Sequence, residues 1–203
     1  NSPQRQGFDR NGVLSCIQYY EKAIEEDPGF ADAYAGLANA SFNLSAWGIL
    51  PGMDGFLRSR TLSLKAIEID PECAEAHAVL GSFLVWGIRD FENGGKELET
   101  AVSLNPNFAT ARQWYAQYLM ITGPINEARI QINRALDLEP YFWVIQNLNA
   151  WITYFEKDYK KSRKICEMAQ DFNPNFSDNM WLFFLNDVKL NKGEQARDQL
   201  KTI

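Results

Sequence analysis

The amino-acid sequence predicts an all-α protein built from a repeated pair of helices. Proline follows Asp, Asn or Glu at five places, and successive prolines are 43, 35, 34 and 34 residues apart. An alanine lies five residues before each of these prolines, and an amphipathic helical pattern resumes after each one. A fixed period within about 20 to 50 residues is typical of stacked helical repeats. The prolines of these five corners are Pro28, Pro71, Pro106, Pro140 and Pro174.

The corners divide the chain into elements, because proline lacks an N–H and its ring clashes with the preceding helical turn. Residues 1–12 are an irregular lead-in, and residues 13–28 are the second helix of a partial repeat. The small residue before each corner lets neighbouring helices approach closely. We predict about five repeats plus a partial one, and the last repeat is cut short. The full repeats are predicted over 31–71, 74–106, 109–140 and 143–174, followed by the last one over 177–203.

The first full repeat carries an insertion. Its 43-residue interval exceeds 34 by nine, and we expect the surplus at about residues 45–56, between the two helices of that repeat. Glycines and a proline interrupt any helix there, whereas the apolar residues are too many for a solvated loop. The segment either fills an apolar gap in its own repeat stack or forms a lip that contacts a partner. The lip residues would be Trp47, Leu50, Met53 and Phe56.

Composition and charge exclude several classes of protein. Twenty basic and 26 acidic residues give a net charge of −6, and the basic residues are scattered, so a nucleic-acid ligand is not expected. No apolar run approaches the roughly 18 to 20 residues that cross a bilayer, so membrane insertion is not expected either. The three cysteines form no Cys-x-x-Cys pair, which disfavours disulfides and zinc and favours a reducing, cytoplasmic setting. We expect no metal and no cofactor.

The first helix of each repeat resembles the tetratricopeptide repeat, or TPR. That family places an aromatic residue, a leucine, a small residue and an aromatic residue at these spacings, and Tyr34, Leu37, Ala38 and Ser41 occupy them here. The last repeats fit the pattern less well. The resemblance covers nearly the whole chain and implies a single right-handed α-solenoid of antiparallel helix pairs that binds a protein or peptide. The equivalent residues of the next two repeats are His77, Leu80, Gly81 and Leu84, then Arg112, Tyr115, Ala116 and Leu119.

Three segments, residues 34–38, 46–51 and 114–116, are similar to the TPR segments of bacterial cyclase-type and winged-helix signalling regulators. This resemblance implies an interaction or regulatory segment beside an output domain. The chain starts without methionine and stops within a helical pattern, so we expect it to be part of a longer protein. No catalytic motif is present, so an enzyme is not expected. His77, the only histidine, is interpreted as a packed neutral imidazole, and Gly94-Gly95 as a turn.

The resemblance places a ligand on the concave face, which the first helices line. The best-known TPR ligand mode captures a terminal carboxylate with Lys, Arg and Asn, but these slots hold no Lys or Arg. We predict instead that side-chain amides form hydrogen bonds with a peptide backbone and that aromatic side chains act as apolar anchors. The alternatives are that each amide forms a hydrogen bond within the repeat stack and that each Trp belongs to the core. The predicted groove residues are Asn39, Gln113, Gln117, Asn147, Trp151, Tyr154 and Trp181.

Two further expectations concern the surface. Glu156-Lys157-Asp158 and Lys160-Lys161 alternate in charge on an exposed turn and are interpreted as a solvated face without a ligand. The leading helix lacks its paired helix, and the segment from Leu200 to Ile203 is expected to expose apolar positions that a capping helix would cover. A second copy of the chain is therefore an alternative partner. A homodimer through uncapped repeat ends is therefore the alternative to a peptide-binding scaffold.

Overall fold

The computed structural model describes residues 10–49, 53–172 and 177–193. Within these ranges the chain forms ten α-helices and one π-helical turn, Phe83–Gly87, and no strand, so the all-α prediction is confirmed. Leu50, the corner at Pro174 and the segment from Leu200 to Ile203 lie outside the described residues. The helices are α1 (Arg10–Glu26), α2 (Ala31–Ala46), α3 (Asp54–Ile69), α4 (Ala74–Ser82), α5 (Phe91–Leu104), α6 (Ala109–Thr122), α7 (Ile125–Leu138), α8 (Trp143–Phe155), α9 (Tyr159–Phe172) and α10 (Ser177–Lys189).

The chain divides into two compact units, and the division falls within α6. The first unit is Asp9–Tyr118, and the second contains Leu119–Ile203. In the first unit, α1 packs on α2, α2 on α3 and α4, and α4 on α5. In the second unit, α8 packs on both α7 and α9, and α9 packs on α10.

Each described corner is a β-turn with proline at its second position, where the fixed φ of proline favours a turn. The N–H of the fourth residue donates to the carbonyl of the residue before proline, from Phe30 to Asp27 at 3.1 Å and from Phe142 to Glu139 at 3.3 Å. The N–H of that preceding residue in turn donates to the carbonyl of the alanine that lies five residues before proline, as Asp27 does to Ala23 at 2.8 Å. The same bonds link Cys73 to Asp70, Phe108 to Asn105, Asp70 to Ala66, Asn105 to Ala101 and Glu139 to Ala135.

A second bond recurs at the corners and was not expected. The side chain six residues after the proline bonds to the proline carbonyl, with Arg112 Nε at 2.6 Å from Pro106 and Gln146 Nε2 at 2.7 Å from Pro140. His77 does the same through Nε2, which lies 3.0 Å from the Pro71 carbonyl. These side chains bond to a carbonyl of the turn itself, which lies outside both flanking helices.

Apolar side chains from several helices form the core of the first unit. Ring centroids lie 5.3 Å apart for Phe42 and Phe56 and 5.6 Å apart for Phe42 and Trp114, so aromatic residues of α2, α3 and α6 meet. Offset and edge contacts of this kind are favourable beyond the area that they bury. The buried members of this core are Ala38, Phe42, Ala78, Val79, Val85, Leu98, Ala101, Ala111 and Trp114.

The predicted bounds of the insertion, 45–56, are wrong at both ends. Helix α2 continues to Ala46 and α3 begins at Asp54, so the connection is residues 47–53. Compared with the α6–α7 pair, α2 and α3 are each two residues longer, and the connection between them is five residues longer. Gly55 does not interrupt α3, since it lies in the first turn of that helix. A Cβ atom on Gly55 would lie 2.9 Å from the Ser41 carbonyl oxygen of α2. The missing side chain therefore lets α3 start directly against α2.

Gly94-Gly95 is not a turn. Both residues are buried within α5, and Asp90 caps that helix by accepting a hydrogen bond from the N–H of Asn93 at 3.2 Å. A Cβ atom on Gly94 would lie 3.0 Å from the carbonyl oxygen of Gly81 and 2.6 Å from Val85 Cγ2. Gly94 therefore allows α4 and α5 to approach at backbone distance, whereas Gly95 leaves room for the Tyr118 ring of α6.

Two arginines 34 residues apart join neighbouring helices of the second unit. Arg129 on α7 donates to Asn149 Oδ1 at 2.6 Å, to Thr153 Oγ1 at 2.7 Å and to both carboxylate oxygens of Glu156 at 2.8 and 2.7 Å. One repeat later, Arg163 on α9 donates to Asp187 Oδ1 at 2.6 Å, and its guanidinium lies over the ring of Phe183. The partners Thr153 and Asp187 are also 34 residues apart, so one contact design is used twice.

Candidate functional site

The predicted amide residues of the first unit are engaged within that unit. Asn39 Nδ2 donates to Glu75 Oε1 at 2.7 Å, and its Oδ1 accepts from Asn43 Nδ2 at 2.7 Å. Gln113 is buried at 5% exposure and donates to Gln117 Oε1 at 3.4 Å. Asn39 is thus held by Glu75 and Asn43, and the two glutamines pair with each other. These hydrogen bonds agree with the alternative interpretation, in which each amide bonds within the repeat stack rather than to a ligand.

The carboxyl group beside Asn39 lies in an unusual electrostatic environment. Burial raises the pKa of Glu75, and the negative charge of Asp32 raises it further, while the hydrogen bond from Asn39 opposes the shift. Burial and the nearby Glu75 also raise the pKa of Tyr20, whose ring covers Gly36. This region is acidic, so it repels rather than attracts an anionic peptide terminus.

Three of the four predicted lip residues, Trp47, Met53 and Phe56, lie among the described residues. Phe56 is part of α3 and packs on the core of the first unit against Phe42. Phe56 thus contributes to the core of its own unit, and its part in a lip stays a prediction. Trp47 is partly buried, Met53 is 42% exposed, and Leu50 lies outside the described residues. The packing of Phe56 follows the alternative in which the insertion fills an apolar gap.

The predicted groove residues of the second unit lie on α8 and α10. Trp151 and Tyr154 pack against a core formed by Ala150, Ile165, Cys166, Leu182 and Phe183. Asn147 is buried at 8% exposure, whereas Trp181 is 47% exposed. The Trp181 ring meets Phe184 edge-on at 6.2 Å between centroids. Part of this aromatic surface is core, and part of it reaches solvent.

Sequence reasoning missed two members of an aromatic cluster, which consists of Trp151, Tyr154, Phe155 and Tyr159. Trp151 and Phe155 stack at 6.2 Å with 29° between their planes, and Tyr154 meets Tyr159 at 5.3 Å. Phe155 is 52% exposed. The spacing of four residues between Trp151 and Phe155 was the available signal, since residues at i and i+4 lie on one face of a helix.

The single histidine is polar in its contacts rather than merely packed. His77 Nδ1 lies 2.6 Å from Glu97 Oε2, and Nε2 lies 3.0 Å from the Pro71 carbonyl. Both ring nitrogens face acceptors, so the doubly protonated ring satisfies both. The hydrogen bond with Glu97 raises the pKa of His77 above its ordinary value of 6.5, while burial of the ring opposes the shift.

The described residues hold no group of three or more His, Cys, Asp or Glu side chains with a geometry suited to a metal ion. Burial raises the pKa of the Cys166 thiol to about 12, so Cys166 is a buried apolar residue rather than a nucleophile. No helix within the described ranges is both long and apolar enough to cross a membrane.

No protein-family model matches the chain. Among curated proteins, the chain is similar to the transcriptional regulator HilA of Salmonella typhimurium and of Salmonella typhi, with 25% identity over 144 residues. The match covers 70% of this chain and 26% of HilA, so it spans about a quarter of the length of these relatives.

Several solved structures share the fold. YrrB, a TPR protein with an unusual peptide-binding site, has a TM-score of 0.54 and 21% identity over 84% of this chain and 82% of YrrB. TTC0263, a thermophilic TPR protein of Thermus thermophilus, has a TM-score of 0.64 and 16% identity over 88% and 90% of the two chains. The human IFIT1 dimer with m7Gppp-AAAA has a TM-score of 0.75 and 15% identity over 94% of this chain and 46% of IFIT1.

These identities show the fold alone. The predicted fold class, an all-α right-handed α-solenoid of antiparallel TPR helix pairs, is confirmed by these neighbours.

Proposed function

We propose that this chain is a non-catalytic scaffold that binds a protein or peptide through the first helices of its second unit. The observation that carries the proposal is the set of aromatic side chains on α8 and α10: Trp181 on α10 is 47% exposed, and Trp151 and Tyr154 on α8 are partly buried. Partly exposed Trp and Tyr side chains dominate the binding energy of many interfaces, because a partner removes a large apolar area from water. The peptide-binding site named for YrrB supports the same use of the fold.

The binding surface proposed here is narrower than the groove predicted from the sequence. The amides of Asn39, Gln113 and Gln117 already bond to side chains of the first unit, so a ligand would have to break those bonds. Asn147 is also buried, at 8% exposure, so it is not offered as a ligand contact. The proposed site residues are therefore Trp151, Tyr154 and Trp181.

The chain is further proposed to be the interaction or regulatory segment of a larger regulatory protein in the cytoplasm. The similarity to HilA, a transcriptional regulator, supports this proposal, as does the resemblance of residues 34–38 and 114–116 to regulator segments. The capped RNA bound by IFIT1 is not carried over, because a net charge of −6 disfavours a polyanionic ligand.

A peptide selection tests the binding proposal. The chain is used to select peptides from a random phage-displayed library, and the affinity of the selected peptides is measured by calorimetry. Trp181→Ala is expected to weaken binding at least about tenfold, as is typical of an aromatic hot spot. Tyr19→Ala is the matched control, since Tyr19 is 74% exposed on α1 in the first unit. Equal loss in both variants, or no selected peptide, would refute the proposed surface.

Self-association is the second candidate, and it is supported by the dimeric state of the IFIT1 neighbour. Two copies would cover exposed apolar residues such as Ile130, which is 60% exposed on α7. Light scattering over a range of concentrations distinguishes the candidates. A monomer at every concentration leaves the scaffold proposal in place and rejects the dimer.

A further inference from the structure

The turn between α8 and α9 and the first residues of α9 carry five of the eleven basic residues between positions 119 and 203. Residues 156–164 contain five basic and two acidic side chains, which is a net charge of +3. The first unit, in contrast, holds 8 basic and 15 acidic residues between positions 9 and 118, a net charge of −7. The turn is therefore a local cationic site on an acidic chain.

Both acidic residues of the turn are already used by the fold. Glu156 accepts hydrogen bonds from Arg129 at 2.8 and 2.7 Å, so its charge is balanced by an arginine of α7. Asp158 caps α9, because its Oδ1 accepts from the N–H of Lys161 at 3.1 Å. The residues of the two charge runs are exposed, as expected from the sequence, but both carboxylates also form hydrogen bonds within the fold.

The lysines of the turn remain available. Lys157, Lys160, Lys161 and Lys164 are exposed, and within the part of the chain that the structure describes none of the four forms an ion pair. Lys157 has φ of 68°, a left-handed conformation that turns the chain from α8 into α9. We call these four residues the lysine patch. Arg163 is not part of it, since it is bound to Asp187.

Aromatic side chains border the lysine patch. Phe155, two residues before Lys157, is 52% exposed, and Tyr159 directly precedes Lys160. Tyr154 contacts both rings, with centroid distances of 5.8 Å to Phe155 and 5.3 Å to Tyr159. An apolar contact and several ammonium groups thus lie side by side on one turn.

We propose that the lysine patch and Phe155 together bind an acidic protein segment that carries an apolar side chain among its carboxylates. Charge complementarity is the basis: carboxylates of the partner would meet ammonium groups that have no internal counter-ion, while its apolar side chain would cover Phe155. This surface goes beyond the proposed groove, because its four lysines lie on the turn and on α9 rather than on the first helices, and only Phe155 belongs to α8. It does not depend on Trp181.

A peptide segment fits this surface better than nucleic acid or a second copy. Proteins that bind nucleic acid through its backbone typically neutralise about 6 to 10 phosphates, whereas the patch supplies four lysines on a chain of net charge −6. A second copy would have to present its acidic first unit, and this predicts self-association that disappears at high salt. Both alternatives are therefore separable outcomes of one experiment.

The test uses a fluorescein-labelled peptide that alternates Asp or Glu with Phe and Leu, and measures its binding to the full chain by fluorescence anisotropy. A second peptide replaces every acid by its amide, and a labelled oligothymidylate of equal charge is the nucleic-acid probe. The Lys160→Glu/Lys161→Glu variant is expected to bind the acidic peptide about tenfold more weakly or worse, since it reverses two surface charges. Phe155→Ser is expected to weaken binding about fivefold.

The matched control is Arg60→Glu/Lys96→Glu, which changes the net charge equally at exposed sites of the first unit. Circular dichroism checks that each variant is folded, and Lys160→Ala/Lys161→Ala repeats the test without charge reversal. The proposal holds if only the patch variants lose the acidic peptide and the amide peptide does not bind. It is overturned if the control loses binding equally, if the oligothymidylate binds as tightly as the peptide, or if the patch mediates a salt-sensitive dimer. If Trp181→Ala alone weakens the binding of library-selected peptides, that result concerns the proposed groove and not the lysine patch.

Discussion

Arg129 is expected to contribute more to stability than any exposed ion pair of the second unit. Its guanidinium, 20% exposed, donates four hydrogen bonds to α8 and the residue that follows it, two of them to the carboxylate of Glu156, which is 30% exposed. A hydrogen bond to a charged group contributes about 1.5 to 3 kcal/mol when buried, and a solvent-exposed pair at most about 1 kcal/mol. The partial exposure places the Glu156 pair between these limits.

Arg129→Met keeps the packing of the aliphatic stem and removes all four donors. Asn149 then loses a partner in a site that is 9% exposed, whereas the Thr153 hydroxyl still donates to the Asn149 carbonyl at 2.7 Å. With about 1 kcal/mol for the orphaned amide added, we expect the free energy of unfolding to fall by about 2 to 4 kcal/mol. Arg129→Lys is expected to be intermediate, because an ammonium group cannot bridge Glu156 and Asn149 in the same way.

The assay is urea unfolding followed by circular dichroism, combined with hydrogen exchange of peptides from α7 and α8. Arg134→Met on the same helix is the control, since Arg134 and Asp137 are 68% and 71% exposed and lie 3.9 Å apart. The control is expected to change stability by at most about 0.5 kcal/mol. Equal effects of the two substitutions, or unchanged exchange in α7 and α8, would show that the Arg129 contacts do not stabilise the second unit.

Three further predictions concern other parts of the fold. The pKa of His77 is raised in the folded protein, so its protonated ring stabilises the fold, and this contribution is complete below the ordinary pKa of 6.5. The free energy of unfolding should therefore fall as the pH rises through the raised pKa. Urea titrations at several pH values measure this slope, and His77→Asn should flatten it. Gly94→Ala should cost about 1 to 3 kcal/mol in the same assay, because α4 and α5 must separate, whereas Gly193→Ala, with no atom within 4 Å of its new Cβ, should not. A thiol reagent should modify exposed Cys16 rapidly in the native protein and buried Cys166 only after unfolding, and mass spectrometry of the labelled peptides reports which thiol reacted.

Much of the fold follows from local features of the sequence. The proline corners mark helix ends because proline acts through its own ring and missing N–H, which do not depend on the rest of the chain. The same logic failed for Gly55 and for Gly94, which interrupt no helix. A glycine that breaks a helix and a glycine that lets two helices touch have the same local signature, and only the position of Ser41 or Gly81 across the interface distinguishes them.

The candidate site was less accessible to sequence reasoning. The repeat register places Gln113 and Asn147 on the first helices, but their burial depends on side chains from other helices. The role of Glu156 was likewise hidden, since its partner Arg129 is 27 residues away and a charge run looks solvated until that partner is known. The 34-residue spacing of Arg129 and Arg163 was a usable signal that a comparison of second helices would have revealed.

The central claim is that the second unit binds a protein partner through α8 and α10. Hydrogen exchange with and without a library-selected peptide tests this most directly, because it locates the bound peptide on the chain. A peptide bound at this surface is expected to slow exchange in Trp143–Phe155 and Ser177–Lys189 and to leave Arg10–Glu26 and Asp54–Ile69 unchanged. Protection confined to helices of the first unit would contradict the claim.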